Sequence, residues 1–241
     1  MSNTSKIQAV ILAGGQGSRL RPYTTILPKP LMPVGELPIA EIIIRQLKRH
    51  GLTRIAIATG HLSGLIQSFF GDGRRWGVNI QYIFEDQPLG TAGALKLVED
   101  PEDNFLVMNG DILTDVNFRE LFGFHKKKKA QATIICKERI VKTDFGVVEI
   151  DRHDQLVDYI EKPEHRSYVS AGINILSKEC QQYIKPKESL GMPDLMLRLK
   201  KARKKVSCFK MPGLWLDLGR LEDLDVAQDV FEKNRRNILP A

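Results

Sequence analysis

Cysteine is scarce in this chain: Cys136, Cys180 and Cys208 are the three among 241 residues. An odd, scattered set excludes a disulfide framework and suits thiols kept reduced in a cytosol. No cysteine has a partner at metal-ligand spacing and the five histidines are equally dispersed, so a transition-metal site is not expected. No run approaches the roughly eighteen apolar residues of a membrane span. The N-terminal MSNTSKIQ lacks the basic-then-apolar pattern of a secretory leader. A cytoplasmic protein without a membrane partner is the expectation. Aromatic residues make up only 7%. None interleaves with the basic runs Lys126 to Lys129 and Lys200 to Lys205, as a single-strand nucleic-acid platform would require. Each run falls where a helix is expected to finish, and cations there offset the helix dipole. The net charge of +7 therefore reads as solvated helix ends and as a field suited to polyanionic small substrates, not as a nucleic-acid footprint.

What the chain does have is apolar residues (42%) in short blocks, enough for one large core. Val, Ile and Leu follow one another from Ala9 to Ala13, the pattern of a buried strand. A helix follows over PIAEIIIRQLKRHG, with Ile39, Ile42, Ile43 and Leu47 on one face and Gly51 as its cap. Strands are expected at Arg54 to Thr59, Asn79 to Glu85 and Asn104 to Asp111, with helices at Leu65 to Phe70 and Gly90 to Val98 between them. This alternation predicts a mostly parallel sheet covered on both faces, with ligands at the carboxyl ends of its strands. The second half is less regular. Strands are expected at Ala132 to Lys137, Gly146 to Ile150, Leu156 to Lys162, Val169 to Leu176 and over VSCFKM, with helices at about Pro193 to Arg203 and Leu221 to Arg236. No repeat, low-complexity stretch or linker divides the chain, so a single domain over residues 1–241 is expected.

The stretch that organises the rest is AVILAGGQGSRLRPYTTILPKPLMPV, from Ala9 to Val34. Leu12 and Ala13 close a strand that breaks into Gly14, Gly15, Gly17 and Ser18, with Arg19, Arg21 and Lys29 behind. Glycines let backbone N–H groups crowd an anion, and the cations supply countercharge. The third glycine of a dinucleotide fingerprint and the Gly-Lys-Ser/Thr of a P-loop are both absent, and glycines alone are equally a structural turn. Pro28 and Pro30 stiffen the backbone around Lys29, which a merely solvated lysine does not need. Asp111 ends a core-type strand and Asp217 follows another apolar run; each is also an ordinary turn or helix cap. Two carboxylates beside a phosphate site would suit Mg2+.

LAGGQGSRLRPYT followed by LPKPLMPV resembles the signature of the sugar-1-phosphate nucleotidylyltransferases, and further motifs extend the resemblance over nearly the whole chain. It implies a Rossmann-like three-layer α/β sandwich with a mostly parallel mixed central sheet and a small sugar-binding lobe. The nucleotide-binding half would be about 1–115 and the sugar-binding half about 116–241. The substrates would be a nucleoside triphosphate and a sugar 1-phosphate, with no nucleic acid. By resemblance, Arg19 and Lys29 act on the phosphates while Asp111 and Asp217 hold the catalytic Mg2+. Leu12, Ala13, Gly14, Gly15, Gly17 and Ser18 would line the nucleotide, and Glu85, Gln87, Gly90 and Thr91 lie near the base. PLGTAGALKL looks most like the mannose- and heptose-1-phosphate guanylyltransferases, pointing to GTP; tight helix–sheet packing is the plain account of its small residues. Glu161-Lys162-Pro163 matches the family's sugar-phosphate motif, although a surface ion pair would also place charges there. Gly146 follows Phe145 as in the family's aromatic–glycine pair. Ser170, before Gly172, stands where many relatives carry asparagine, which leaves the sugar open. UTP or dTTP with a glucose or amino-sugar phosphate is the alternative, and a non-catalytic nucleotide sensor is a third. The chain stops soon after its last helix, so a homodimer, if formed, is expected to use this domain.

Overall fold

The structure, a computed structural model, describes residues 7–239. In chain order the main elements are β1 (Ile7–Ala13), α1 (Ile39–Arg49), β2 (Arg54–Thr59), α2 (Ser63–Phe70), β3 (Asn79–Phe84), β4 (Pro101–Asn109), β5 (Ile112–Thr114), α3 (Phe118–Lys128), β6 (Ala132–Lys142), β7 (Val147–Ile150), β8 (Leu156–Ile160), β9 (Glu164–Ser177), α4 (Met192–Lys201), β10 (Val206–Lys210), β11 (Trp215–Asp217) and α5 (Leu221–Ile238). Seven strands form one sheet in the order β10-β6-β9-β4-β1-β2-β3. Neighbours are parallel except where β9 meets β4 and β6, so one reversed strand makes the sheet mixed.

Successive residues of β1 serve opposite faces, as strand geometry demands. Ala9 and Ile11 join Ile42, Ile43 and Leu47 of α1, Phe70 of α2, Phe118 of α3 and Phe231 of α5 in one core. Val10 joins Phe105, Val107 and the α4 residues Leu195, Met196 and Leu199 in another. Helices thus cover both faces, giving the three layers expected. Fully burying each such side chain stabilises the fold by about 1.5–3 kcal/mol. Gly51 ends α1 at φ +86°, donating its N–H to the Lys48 carbonyl at 2.9 Å, as its position predicts.

The structure corrects the sequence in three places. The helix expected over Gly90 to Val98 is one α turn, Gly90–Gly93, followed by a 3-10 turn, Ala94–Leu97. The Leu190 carbonyl accepts from the N–H groups of Ala92 (2.9 Å) and Gly93 (3.1 Å), so a neighbouring segment satisfies donors that the first turn leaves without an acceptor. The strand expected at Ala132 to Lys137 runs on to Lys142, and its partner β9 begins at Glu164, not Val169. Between them β7 and β8 form a separate antiparallel hairpin, an arm whose every strand residue is exposed. Finally, β5 and β11 pair antiparallel in a two-stranded sheet outside the main one.

Candidate active site

The sheet places its loops around one cleft of about 580 Å3 at the carboxyl ends of β1, β2, β3 and β4. Its wall includes Leu12, Ala13, Gly14, Gly15, Gly17, Ser18, Arg19, Lys29, Glu85, Gln87, Gly90, Thr91 and Asp111, all expected from the sequence. Gln16, Pro30, Gly60, His61, Asp86, Pro88, Asn109, Gly110 and Gly219 also line it, and none of these is among the candidates that the sequence offers. Asn109 and Gly110 adjoin Asp111 at the end of β4, a signal available in the sequence. Gly60 and His61 follow β2, and the rule that ligands sit at carboxyl strand ends points to them.

The glycine loop is tight for different reasons at each glycine. A Cβ at Gly14 would lie 2.7 Å from Glu85 Oε1, and one at Gly17, whose φ is +60°, would lie 2.8 Å from Thr24 Cγ2. A Cβ at Gly15 would meet nothing within 4 Å, so its bareness keeps cleft space open, not packing. Lys29 opens a 3-10 turn, Lys29–Leu31, with Pro28 extended before it and Pro30 buried within it. The proline splint inferred from the sequence is therefore real. Glu85 Oε2 accepts the Leu89 N–H at 2.9 Å, which closes the 85–89 turn on itself, while Oε1 lies against Gly14.

Lys29 Nζ makes an ion pair with Asp111 Oδ2. Asp111 Oδ1 is buried and has no hydrogen-bond partner. Asp217 comes to the same place by a long-range route. It pairs with Ile112 across the β5–β11 ladder, and Leu218 N–H donates to the Asp111 carbonyl at 3.0 Å. Its strand is pinned by Thr114 Oγ1 donating to Leu214 O (2.8 Å), Leu214 N–H donating to Asp115 Oδ1 (2.8 Å) and Trp215 Nε1–H donating to Ala171 O (2.9 Å). Burial, and then the Asp111 carboxylate, push the Asp217 carboxyl above its ordinary value, while Lys29 and Arg19 pull it back. Arg19 completes the cluster: a Cβ on Gly219 would stand 3.3 Å from its guanidinium.

The helix-cap alternative holds for neither aspartate, although Asp111 does sit in the turn that joins β4 to β5. The helix after Asp217 is capped by Arg220, whose N–H donates to Asp223 Oδ2 at 2.7 Å. The helix after Asp111 is capped by Asn117, which accepts from Arg119 N–H at 3.1 Å. Among the described residues no group of three or more His, Cys, Asp or Glu gathers as a metal cage. An orphaned carboxylate oxygen beside a second, destabilised carboxylate does fit a magnesium ion, which takes one or two carboxylates and completes its shell from phosphates and water.

The sugar-side residues are distributed differently. Gly172 (φ +69°) touches the site, since a Cβ there would lie 2.7 Å from Asn109 Nδ2. Ser170 is exposed two residues earlier, its Oγ accepting Gly172 N–H at 3.5 Å. Glu161 and Lys162 lie just past β8, exposed, with Lys162 at φ +44°. Gly146 lies just before β7, where a Cβ would strike the Tyr159 hydroxyl. None of these five walls the cleft. Gly172, on β9, adjoins it through Asn109, whereas Gly146, Glu161 and Lys162 belong to the arm.

Residues 8–234 match the profile of the family described as Nucleotidyl transferase. A UTP–glucose-1-phosphate uridylyltransferase from Synechocystis is 33% identical over 96% of this chain and 65% of its own length. The chain thus spans about two thirds of that relative. A D-glycero-alpha-D-manno-heptose 1-phosphate guanylyltransferase from Aneurinibacillus thermoaerophilus is 31% identical over 92% of this chain and 97% of its own. Among solved structures, a candidate glucose-1-phosphate thymidylyltransferase from Bacillus anthracis superposes with a TM-score of 0.75 at 31% identity, over 92% of this chain and 94% of the other.

Proposed function

The chain belongs to the nucleotidyl transferase family, and from that premise we propose that it transfers a nucleotidyl group, guanylyl in the first instance, from a nucleoside triphosphate to a mannose-like or heptose 1-phosphate. The observation that carries the reading is the convergence of the glycine loop, Arg19 and the Lys29–Asp111 ion pair on one cleft, with Asp217, which does not itself line the cleft, near enough to feel the charges of Asp111, Lys29 and Arg19. A sugar 1-phosphate is already an anionic nucleophile at neutral pH, so no general base is needed. Its oxygen attacks the α-phosphorus of the triphosphate, the bond to the bridging oxygen breaks, and pyrophosphate leaves.

The residues act by position and charge. Gly14, Gly15 and Gly17 present backbone to the phosphate chain. Arg19 neutralises the departing β- and γ-phosphates, and Lys29 the charge growing at the α-phosphate. Asp111 and Asp217 would hold Mg2+, which supplies further neutralisation of the phosphate oxygens when bound. Glu85 spends one oxygen on Leu89, so it shapes the base pocket with the other, alongside Gln87 and Thr91. Ser170, Gly172, Glu161, Lys162 and Gly146 would receive the sugar phosphate, a role supported by the Glu161-Lys162-Pro163 motif and by the approach of Gly172 to Asn109.

The guanylyl assignment draws on Leu89-Gly90-Thr91-Ala92-Gly93-Ala94 and on the heptose guanylyltransferase, a relative matched over nearly its whole length. The uridylyl relative supports UTP and glucose 1-phosphate as the second reading. Pyrophosphate release from GTP, UTP, dTTP, ATP and CTP against mannose, glucose and heptose 1-phosphates, with and without Mg2+, tests both. GTP with a manno-configured phosphate is the expected winner. Release from UTP or dTTP alone would reassign the base, and nucleotide binding without any release would make the chain a sensor.

A further inference from the structure

Two features of the molecule lie outside the cleft wall, although the base of the first carries the sugar-side candidates Gly146, Glu161 and Lys162. The first is the arm, closed at its base by Thr143 N–H donating to the Pro163 carbonyl at 3.1 Å. Its register sets Val148 opposite Tyr159 and Ile150 opposite Leu156 on one face, with Val147 opposite Ile160 and Glu149 opposite Asp158 on the other. An isolated two-stranded ribbon is marginal in water, and directly opposed carboxylates weaken it further. From Thr143 to Pro163 there are six Asp or Glu against two Lys or Arg, a net −4; the rest of the chain therefore carries +11.

The second feature is where that positive charge gathers. In the sequence, Lys126 to Lys129 and Lys200 to Lys205 look like two separate helix ends. The structure joins them, because the N–H groups of Gln131 (2.8 Å) and Ala132 (3.3 Å) both donate to the Lys205 carbonyl. Lys126, Lys127, Lys128, Lys129, Lys200, Lys201, Arg203, Lys204 and Lys205 are all exposed on this one end of the sheet. Among the described residues none of the nine makes an ion pair. Leu197 (63% exposed) and the partly buried Phe124 ring, which lies under Lys128, add apolar surface to that end.

The cationic end lies at the start of β6 and the arm follows its finish. At about 3.3 Å per residue the strand holds the two some tens of ångströms apart, so a chain does not bring its own arm to its own cations. A second copy running antiparallel does, twice over, about a two-fold axis. Arm against arm would set −4 on −4.

We propose that the β7–β8 arm docks on the merged lysine–arginine end of a second copy of this chain, reciprocally, to give a closed dimer. Light scattering at about 100 μM protein in low salt should read the mass of two chains, falling to one in about 0.5 M salt as screening shortens to a few ångströms. Glu149→Lys with Asp158→Lys, or Lys126→Glu, Lys127→Glu, Lys204→Glu and Lys205→Glu together, should each read one chain in low salt. These positions are exposed, and an unchanged thermal midpoint shows that the variants fold. Carbodiimide coupling of the parent dimer should join Glu149, Asp151, Asp154 or Asp158 of one chain to the lysine end of the other. A single chain at every salt concentration overturns the proposal. So does a dimer that both sets of reversals leave intact, a dimer that salt tightens (apolar arm faces meeting), or coupling products confined to other surfaces. Should the variants fail to fold, the salt series and the coupling map decide it alone.

Discussion

The segment Gly14 to Leu31 contains no helix longer than three residues and no strand, whereas the arm from Thr143 to Pro163 holds two paired strands. Yet the irregular segment is the anchored one. Leu20, Thr24, Pro28, Pro30 and Leu31 are buried, and Thr24 Oγ1 donates to the Gly17 carbonyl at 2.8 Å. In the arm, Phe145 is 78% exposed and Leu156 64%. Regular hydrogen bonding and tertiary fixation are separate properties. Local geometry supplies the first, while the second comes from apolar area removed from water. A site that must hold several charges in fixed relation belongs on the anchored loop, and a surface that must meet another molecule belongs on the arm.

The sharpest test of the contrast is thermodynamic. Phe105→Ala, at a fully buried core position, should lose about 3–5 kcal/mol of stability in urea unfolding. In a monomeric preparation, Leu156→Ala on the arm should stay within about 0.5 kcal/mol. Comparable losses at both positions would mean that the arm is packed against its own body. Next in size, Lys29→Ala or Asp111→Asn should lower turnover by about 100- to 1000-fold with the circular dichroism spectrum unchanged, the usual effect of deleting one preorganised charge contact. Near-normal turnover in either variant removes that residue from the mechanism.

A smaller effect of opposite sign is expected at Asp217. Its folded-state value is raised, by burial first and by Asp111 second, so the folded chain favours the protonated form. The stability it contributes is present below the ordinary carboxylate range and lost as pH rises through the raised value. Asp217→Asn keeps the neutral form at every pH. In metal-free buffer at pH 7 it should therefore melt higher than the parent, and the gap should close on acidification. Equal midpoints at both pH values would show that the carboxylate is not strained in the fold. His125 runs the other way. It lies buried between Thr133 Oγ1 (2.8 Å) and Asn104 Oδ1 (2.9 Å), and burial lowers its affinity for a proton. Its share of stability is present above about pH 6.5 and is lost as pH falls below that.

Much of this was legible before the structure. The strands and helices from Ile7 to Asn109 follow apolar periodicity, and the glycine loop, Lys29 between its prolines and the 85–91 loop fall together because all follow parallel strands. Other features were hidden for identifiable reasons. The segment from Gly90 looks like one long helix but tightens to a 3-10 turn after Gly93, and its first N–H groups are capped by the carbonyl of Leu190, a hundred residues on. Val147, Val148, Ile150, Leu156 and Val157 look like core strands, because alternation reports the strand and not what lies against it. The convergence of Lys126–Lys129 with Lys200–Lys205 depends on β6 and β10 lying side by side.

By itself the sequence determined the kinds of group available: bare backbone and cations at the amino end, two aspartates after apolar runs, and the strand–helix alternation that turns loops toward one edge. Tertiary structure alone decided that the two aspartates meet. Asp111 and Asp217 are 106 positions apart, and only the β5–β11 ladder, pinned by Thr114, Asp115 and Ala171, sets one beside the other. The physical reason is range. Periodicity and turn chemistry act over a few residues, whereas setting two like charges side by side across a hundred residues takes the packing of the strands that carry them.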